Sequence, residues 1–293
     1  MSWRVRDLDP STDRGAVERL CRVALAPAWV LAAEAVDLVR EGVVAEEEGA
    51  VAGVVAIDPA GSIPLLVVDP ARQRHGIGTA LLAEAMRRLR AAGASRVHLG
   101  SGGDGYLWPG VPADLPAAVR FFERHEWTWD HTVVDLTADL RGYAAPAGVG
   151  ERVAVAGVRL AVAGPHDVAE ALDFERRHFP QWSRFFEATD ESVLVARDAR
   201  GEVAGTLLFS GPGRRSVLWP MLGEDMATIG CVGVAEPARR AGIGAALVVR
   251  ASELLRDAGA GTCHIGWVWL PAFYERLGYG RWREYLMAYQ AAG

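Results

Sequence analysis

The chain carries one short sequence twice, and this duplication limits what it can fold into. The stretch from Val68 to Leu82 and the stretch from Val234 to Val248 align in register without a gap. In each copy an apolar run predicts a strand, a basic turn with two glycines follows, and an alanine- and leucine-rich pattern predicts a helix. The 293 residues are enough for two domains of average size. We therefore predict two consecutive units of one α/β design.

The turn between the strand and the helix has the features of a phosphate site. The first turn of a helix leaves backbone N–H groups unpaired at the positive end of the helix dipole. Gly76 and Gly78, and Gly242 and Gly244 in the second copy, allow a ligand oxygen to approach the backbone. A Rossmann fingerprint needs a small residue where both copies have leucine, and a Walker loop needs a Gly-Lys-Ser/Thr sequence that neither copy contains.

The remaining pattern, Gln/Arg-x-x-Gly-x-Gly after a strand, resembles the acetyl-CoA pyrophosphate loop of the GNAT N-acetyltransferase superfamily. The resemblance covers nearly the whole chain as two GNAT-like halves. It implies an α/β (α+β) fold, in which each half is a mixed, mostly antiparallel twisted sheet flanked by helices. We place the halves at residues 1–140 and 152–293, because the stretch between them is rich in Ala, Gly and Pro and reads as a linker.

The resemblance implies acetyl-CoA as co-substrate, and we expect no metal. The main-chain and side-chain contacts to the coenzyme are expected from the strand end and the turn of each half. In the second half these residues are Val232, Gly233, Val234, Arg239, Arg240, Ala241, Gly242, Ile243, Gly244 and Ala245. In the first half they are Val67, Val68, Gln73, Arg74, His75, Gly76, Ile77, Gly78 and Thr79.

The two halves differ at the residue that assists the leaving group. In the family an amine attacks the acetyl thioester, and a tyrosine from a Phe-Tyr-x-x-x-Gly-Phe/Tyr phrase serves the departing thiolate. The second half has this phrase at Phe273–Tyr279, whereas the first half has Phe122 at the tyrosine position. An unperturbed phenol is a weaker acid than a thiol, so Tyr274 is expected to donate a hydrogen bond to the thiolate. A benzene ring cannot donate, and the resemblance therefore implies catalysis in the second half.

The general base and the acceptor site are less well defined by the sequence. Asp225, with Glu224, lies just before the strand of the second half and is our candidate base, although a solvated turn carboxylate or a water chain is an alternative. The family's acceptor specificity maps here to residues 178–184 and to Trp267, Trp269 and Trp282. Those tryptophans are also compatible with ordinary core or rim packing.

The first half carries an insertion at residues 101–114. It either leans over a pocket or is a surface excursion, and its Tyr106 is a candidate substitute for the missing phenol. The first half can still hold a coenzyme, since its turn is intact. Its arrangement beside a complete second half is similar to that of the mycothiol synthases. The Asn-x-x-Ala phrase usual there is replaced by residues 269–272, so that substrate is not transferred.

The composition of the chain limits which partners and which cellular compartment are expected. A net charge of −6 argues against a nucleic-acid surface. Three cysteines without a Cys-x-x-Cys pair fit a reducing compartment, and the sequence shows neither a signal peptide nor a long apolar run. We therefore expect a cytoplasmic enzyme that acetylates a small-molecule amine, with no membrane partner, as a monomer or a homodimer. A non-catalytic acyl-CoA-binding protein, and catalysis in the first half, are the alternatives.

Overall fold

The structure, a computed structural model, describes residues 3–101, 107–187, 189–214 and 216–292. Contacts separate the chain into two units. The first unit comprises Met1–Val134, Ser216–Met221 and Arg283–Gly293, and the second comprises Asp135–Arg215 and Leu222–Trp282. The expected halves, 1–140 and 152–293, were collinear with the sequence. This division differs from them chiefly in assigning the C-terminal residues to the first unit.

The first unit is built on a six-stranded sheet with the order β1-β2-β3-β4-β5-β14. Strand β14 comes from the end of the chain and pairs with β5 through Tyr289 and His98. The elements of this part of the chain are β1 (Trp3–Asp7), α1 (Arg14–Leu25), β2 (Gly42–Glu47), β3 (Ala50–Asp58), β4 (Ser62–Val68), α2 (Ile77–Ala91), β5 (Arg96–Leu99), β6 (Val111–Pro112), α3 (Pro116–Arg124), β7 (His131–Asp139) and β14 (Tyr289–Ala291).

The second unit repeats this order of elements. Its sheet runs β7-β12-β11-β10-β9-β8, and the residues of β7 from Asp135 onward belong to it. The elements after β7 are α4 (Val149–Val155), β8 (Arg159–Val162), α5 (Pro165–His178), α6 (Ser183–Glu187), β9 (Ser192–Arg197), β10 (Val203–Ser210), α7 (Trp219–Leu222), β11 (Met226–Val234), α8 (Ile243–Asp257), β12 (Thr262–Val268), α9 (Pro271–Glu275) and β13 (Gly280–Met287). Of these, α7 up to Met221 and β13 from Arg283 onward belong to the first unit.

Both sheets are mixed and mostly antiparallel, which confirms the predicted fold class. The strand pairs with a defined register run antiparallel within each unit, except that β4 pairs with β5 and β11 pairs with β12 in parallel. The parallel pairs are the places where the chain crosses over through the helix that follows the glycine turn. The duplicated sequence therefore lies at equivalent positions in the two folds.

Glycines define both ends of the duplicated helices α2 and α8. Gly76 and Gly242 precede the first turn with φ of 83° each, a left-handed conformation that side chains disfavour. At the other end Gly93 and Gly259 are left-handed as well, with φ of 87° and 90°. The next N–H bonds back to the carbonyl five residues earlier in both cases, as in a Schellman motif.

Each duplicated helix packs on its sheet over a glycine. A Cβ on Gly53 would lie 3.1 Å from side-chain carbons of both Ile77 and Leu81. A Cβ on Gly205 would lie 3.2 Å from carbons of Ile243 and Leu247 and 2.8 Å from the Gly233 carbonyl oxygen. The helix can approach the sheet closely only because these positions carry no side chain.

Two local features complete the description. Residues Ala33–Leu38 form a short 3-10 helix, and a break at Ala288 separates β13 from β14. No helix in the described ranges is long and apolar enough to cross a bilayer.

The close approach of α8 predicts that Gly205→Ala destabilises the protein. The added methyl group would overpack the contact with Ile243 and Leu247, at a cost of about 1–3 kcal/mol. We expect a lower midpoint of thermal unfolding, measured by circular dichroism. Gly211→Ala is the matched control, since a Cβ there meets nothing within 4 Å. Equal midpoints for the two variants would contradict the packing described for α8.

Candidate functional site

The two glycine turns have nearly the same backbone. Each strand leads into one turn of 3-10 helix, at Pro70–Arg72 and at Glu236–Ala238. Arg74 and Arg240 then adopt left-handed φ values of 68° and 76°. In each turn a side chain reaches back 3.3 Å to the carbonyl that ends the strand, from Gln73 in one copy and from Arg239 in the other. The predicted turn residues are thus brought together in both units.

The first turns of α2 and α8 are open to an anion. Within the described ranges no side chain caps either helix. The N–H groups that follow Gly76 and Gly242 point out of the helix start, because the helix supplies no acceptor for them. This arrangement is suited to an anion such as a phosphate group.

The strands that lead into these turns differ by one residue. In the first unit β4 pairs with β3 without interruption from Val68 back to Leu65. In the second unit Thr206 of β10 faces Gly233, but Leu208 faces Gly230, so β11 contains an extra residue at this point. Cys231, within this stretch, has a left-handed φ of 48°. A β-bulge of this kind bends the strand and redirects its side chains and amides.

Before it reaches the bulge, β11 separates from its parallel neighbour. The pairing of β11 with β12 extends over Met226–Thr228, and β11 continues from there to Val234. The corresponding pairing of β4 with β5 involves Ser62 and Ile63. In both units the end of the strand therefore faces a gap next to the glycine turn.

In the first unit an indole enters this region. The Nε1 of Trp108 donates a 2.8 Å hydrogen bond to the carbonyl of Pro64 on β4. Trp108 and its neighbour Leu107 are buried, with exposed fractions of 6% and 1%. The described part of the insertion, residues 107–114, therefore packs on its own unit. Tyr106, the expected substitute for the missing phenol, lies outside the described residues.

Aromatic residues of α3 pack beside the first glycine turn. The ring of Phe121 lies 3.1 Å from where a Cβ on Gly78 would be, and in the second unit the ring of Phe273 lies 3.5 Å from the same point on Gly244. His125 Nε2 lies 3.0 Å from the hydroxyl of Thr79, on the first turn of α2. Phe122, at the position of the family tyrosine, is buried and packs edge-on against Trp127. No phenol takes part in this arrangement.

In the second unit Tyr274 faces the bulge. It lies on the short helix α9 and is partly exposed, and its hydroxyl has no hydrogen-bond partner among the described residues. Burial raises the pKa of Tyr274 to about 12, and the nearby thiol of Cys231 adds to this rise. Tyr274 is therefore a neutral hydrogen-bond donor near neutral pH.

Glu175 on α5 is a site residue that the sequence analysis missed. Its side chain is fully buried, and its Oε1 accepts a hydrogen bond from the hydroxyl of Thr206. Burial raises the pKa of this carboxyl to about 7, while the Thr206 hydrogen bond acts in the opposite direction. The charge of Glu175 in turn contributes to the raised pKa of the Cys231 thiol, behind burial as the main cause. Glu175 and Tyr274 thus both neighbour Cys231.

Asp225 is not part of this group. Its carboxylate forms a 2.7 Å ion pair with Arg141 just before β11 begins. Cys231 lies six positions further along the chain, which is roughly 20 Å along an extended strand. The structure does not bring the expected base Asp225 to Tyr274.

The aromatic residues expected to bind the acceptor separate into two groups. Phe179 stacks on Trp182 with ring centroids 5.0 Å apart, and its edge lies 2.8 Å from where a Cβ on Gly233 would be. Trp267 and Trp282 instead adjoin a buried hydrogen bond, in which His264 Nε2 lies 3.0 Å from Asp135 Oδ2. Asp135 also accepts a hydrogen bond from the backbone N–H of Trp267, and the Trp282 ring packs edge-on against His264. Trp269 is 59% exposed.

One group of side chains within the described ranges could hold a metal ion, formed by His166, Asp167 and Glu170 on the first turns of α5. It is partly solvent-exposed, and the guanidinium of Arg197 forms ion pairs with both carboxylates. The two carboxylates of this group are therefore already paired with a cation of the protein itself.

Comparisons with known proteins agree with this geometry. Residues 40–128 match the acetyltransferase (GNAT) domain, and residues 163–280 match the acetyltransferase (GNAT) family. A mycothiol acetyltransferase of Clavibacter sepedonicus is 28% identical over 71% of this chain and 64% of its own length. The chain therefore spans somewhat less than two thirds of that relative.

Two solved structures extend the comparison. One is a GCN5-related glucosamine N-acetyltransferase region of a fungal multi-domain β-N-acetylglucosaminidase, with a TM-score of 0.90 and 28% identity over 99% of this chain and 38% of that chain. The other, a tandem GNAT protein from the clavulanic acid biosynthesis pathway, has a TM-score of 0.67 and 18% identity over 100% of this chain and 99% of its own. The chain belongs to the GNAT acetyltransferases and carries two GNAT domains in tandem.

The burial of the three cysteines predicts low thiol reactivity. Burial raises the pKa of Cys21 and of Cys263 to about 12, and it raises that of Cys231 as well. The thiolate is the reactive form, so all three should react slowly with Ellman's reagent at pH 7.5. Cys231, which is partly exposed, should react first, and all three should react after unfolding. Rapid reaction of Cys231 in the native protein, at the rate of a free thiol, would contradict this description of the bulge.

Proposed function

We propose that this tandem GNAT enzyme transfers the acetyl group of acetyl-CoA to the amine of an amino sugar, and that the second unit carries the reaction. The observation that carries the proposal is the combination of the bulged strand β11 with the phenol of Tyr274. The first unit has neither feature, since its β4 is regular and Phe122 replaces the phenol.

The coenzyme fits the second unit through main-chain groups. The amides after Gly242 would hold the pyrophosphate, with Arg239 and Arg240 beside them. The end of β11, Val232 to Val234, would pair with the pantetheine arm, because it lies beyond the segment that pairs with β12. When bound, the coenzyme supplies the activated acetyl group as a thioester.

Tyr274 would serve the sulfur that leaves. Since its pKa is raised to about 12, the phenol keeps its proton and acts by donating a hydrogen bond to the thiolate as charge develops. Its hydroxyl is free to do so among the described residues.

The first unit is proposed to have a supporting role and not to catalyse the acetyl transfer. Its turn, from Gln73 to Thr79, remains a candidate for phosphate binding because its backbone matches the second turn. However, Trp108 already uses the Pro64 carbonyl on the strand where a pantetheine arm would pair. A bound thioester would have to displace this indole.

An amino sugar is proposed as acceptor for two reasons. The fungal structure that this chain resembles over 99% of its length is a glucosamine N-acetyltransferase region. Next to Gly233, the stacked rings of Phe179 and Trp182 provide a flat apolar surface suited to the face of a sugar ring.

A cytoplasmic location is also part of the proposal. The three cysteines are free, which supports it.

An amine panel with acetyl-CoA tests this function. Thiol release should be fastest with glucosamine or a glucosamine derivative, and N-acetylglucosamine, which has no free amine, is the negative control. Turnover of aliphatic amines without turnover of amino sugars would overturn the acceptor class. No turnover with any amine would overturn the proposal as a whole.

Tyr274→Phe should lower kcat by about 10²–10³, because one hydrogen bond to the developing thiolate is lost. The KM for acetyl-CoA should change little, as the ring that packs on Phe273 remains. Steady-state thiol release measures both constants. An unchanged kcat would exclude the role given to Tyr274.

The same change in the two turns compares the units directly. Gly242→Val should weaken coenzyme binding strongly, since valine strains the left-handed conformation and crowds the amides. Gly76→Val, at the matching position with the same φ, should cost much less turnover. Isothermal titration with CoA and turnover assays measure the two effects. A greater loss from Gly76→Val would assign catalysis to the first unit.

A further inference from the structure

We propose that Glu175 is the general base of the second unit, which takes the proton from the acceptor ammonium. This inference rests on the proposed function. It differs from the expectation based on sequence, in which Asp225 had this role.

The position of Glu175 places it at the bulge rather than in an ordinary core. It follows Ala171 and Phe174 on the buried face of α5. Its Oε1 lies 3.3 Å from where a Cβ on Gly233 would be, so the carboxyl touches the end of β11 that faces the gap. Phe179, one helical turn later, contacts the same glycine.

The carboxyl is only half satisfied. Thr206 donates to Oε1, whereas Oε2 is buried and has no hydrogen-bond partner among the described residues. A buried carboxyl oxygen without a donor is costly unless a ligand or an ordered water completes it. An acceptor ammonium, or a water that bridges to it, would provide the missing donor.

Among the residues that the structure describes, no cation neutralises this carboxyl. The titratable groups that face this space from neighbouring elements are the thiol of Cys231 on β11, the phenol of Tyr274 on α9, Arg184 on α6 and Glu191 before β9. On α5 itself the charged neighbours Arg176, Arg177 and His178 are exposed. Burial therefore dominates and raises the pKa of Glu175 to about 7, a value suited to a base near neutral pH.

The proton balance of the reaction is simple. The ammonium gives one proton to the Glu175 carboxylate, which later releases it to solvent. The amine nitrogen then forms a bond to the acetyl carbon while the carbon–sulfur bond breaks. The second nitrogen proton is left for the departing thiol, so the products are the amide, the free thiol of CoA and one proton.

Glu175→Gln tests the role, because glutamine keeps the shape and cannot take a proton. With glucosamine at pH 7 we expect kcat/KM to fall by about 10²–10⁴, with the affinity for CoA unchanged. A weakly basic acceptor, such as a hydrazide that is neutral at pH 7, should lose much less. Asp173→Asn is the matched control, since it removes an exposed carboxylate from the same helix and should leave turnover unchanged.

Thr206→Val provides a second test that does not remove the carboxyl. The Thr206 hydrogen bond lowers the pKa of Glu175, so its loss should raise that pKa. Since the base must be ionised, the rising limb of kcat/KM against pH should move to higher pH in this variant. The acceptor amine titrates in the same way with the wild type and with the variant. A difference between their pH profiles therefore reports the titration of Glu175.

The outcomes separate this inference from the function on which it rests. The role of Glu175 alone would be overturned if the wild-type enzyme acetylates glucosamine but neither variant behaves as expected. In that case Glu175→Gln would retain at least a third of the wild-type kcat/KM, and Thr206→Val would leave the rising limb of the pH profile unmoved. An equal loss with glucosamine and with the hydrazide would overturn it as well, since it would indicate a structural role. A wild-type enzyme without turnover would overturn the function itself.

Discussion

The extra residue in β11 is the constraint on which the site of the second unit depends. A regular strand would present alternate side chains to the two faces of the sheet throughout its length. With the bulge, Cys231 takes a left-handed conformation, and the strand end from Val232 to Val234 is redirected toward the gap. Glu175 and Tyr274, from α5 and α9, then neighbour the same thiol. In the first unit β4 lacks the bulge, and Trp108 bonds to its Pro64 carbonyl instead.

The duplicated sequence maintains the scaffold rather than the chemistry. Gly53 and Gly205 permit the close approach of a helix, and Gly76 and Gly242 open its first turn in the same conformation. These requirements concern the backbone, so both copies meet them. The residues that would act on a thioester and an amine are separate from this scaffold, and only the second unit combines them. One fold thus appears twice, with one proposed reaction.

The sequence predicted what depends on local structure. The glycine turns, their helices and the contrast between Tyr274 and Phe122 could be read directly, because each depends on a few adjacent residues. Glu175 could not be singled out so easily, since its importance comes from burial against Gly233 and Thr206, far away in the chain. A signal was present, because a glutamate interrupts the apolar face of α5 that includes Ala171 and Phe174. Asp225 was well placed by its sequence position, but its ion pair with Arg141 is a long-range contact that no local pattern indicates.

The most direct test of this account is a crystal structure with a stable acetyl-CoA analogue in which the thioester sulfur is retained. We predict the pyrophosphate on the amides after Gly242, and the sulfur within hydrogen-bond reach of the Tyr274 hydroxyl. An analogue bound in the first unit alone, with Trp108 displaced from the Pro64 carbonyl, would contradict the account. So would a sulfur that lies in the second unit but out of reach of Tyr274.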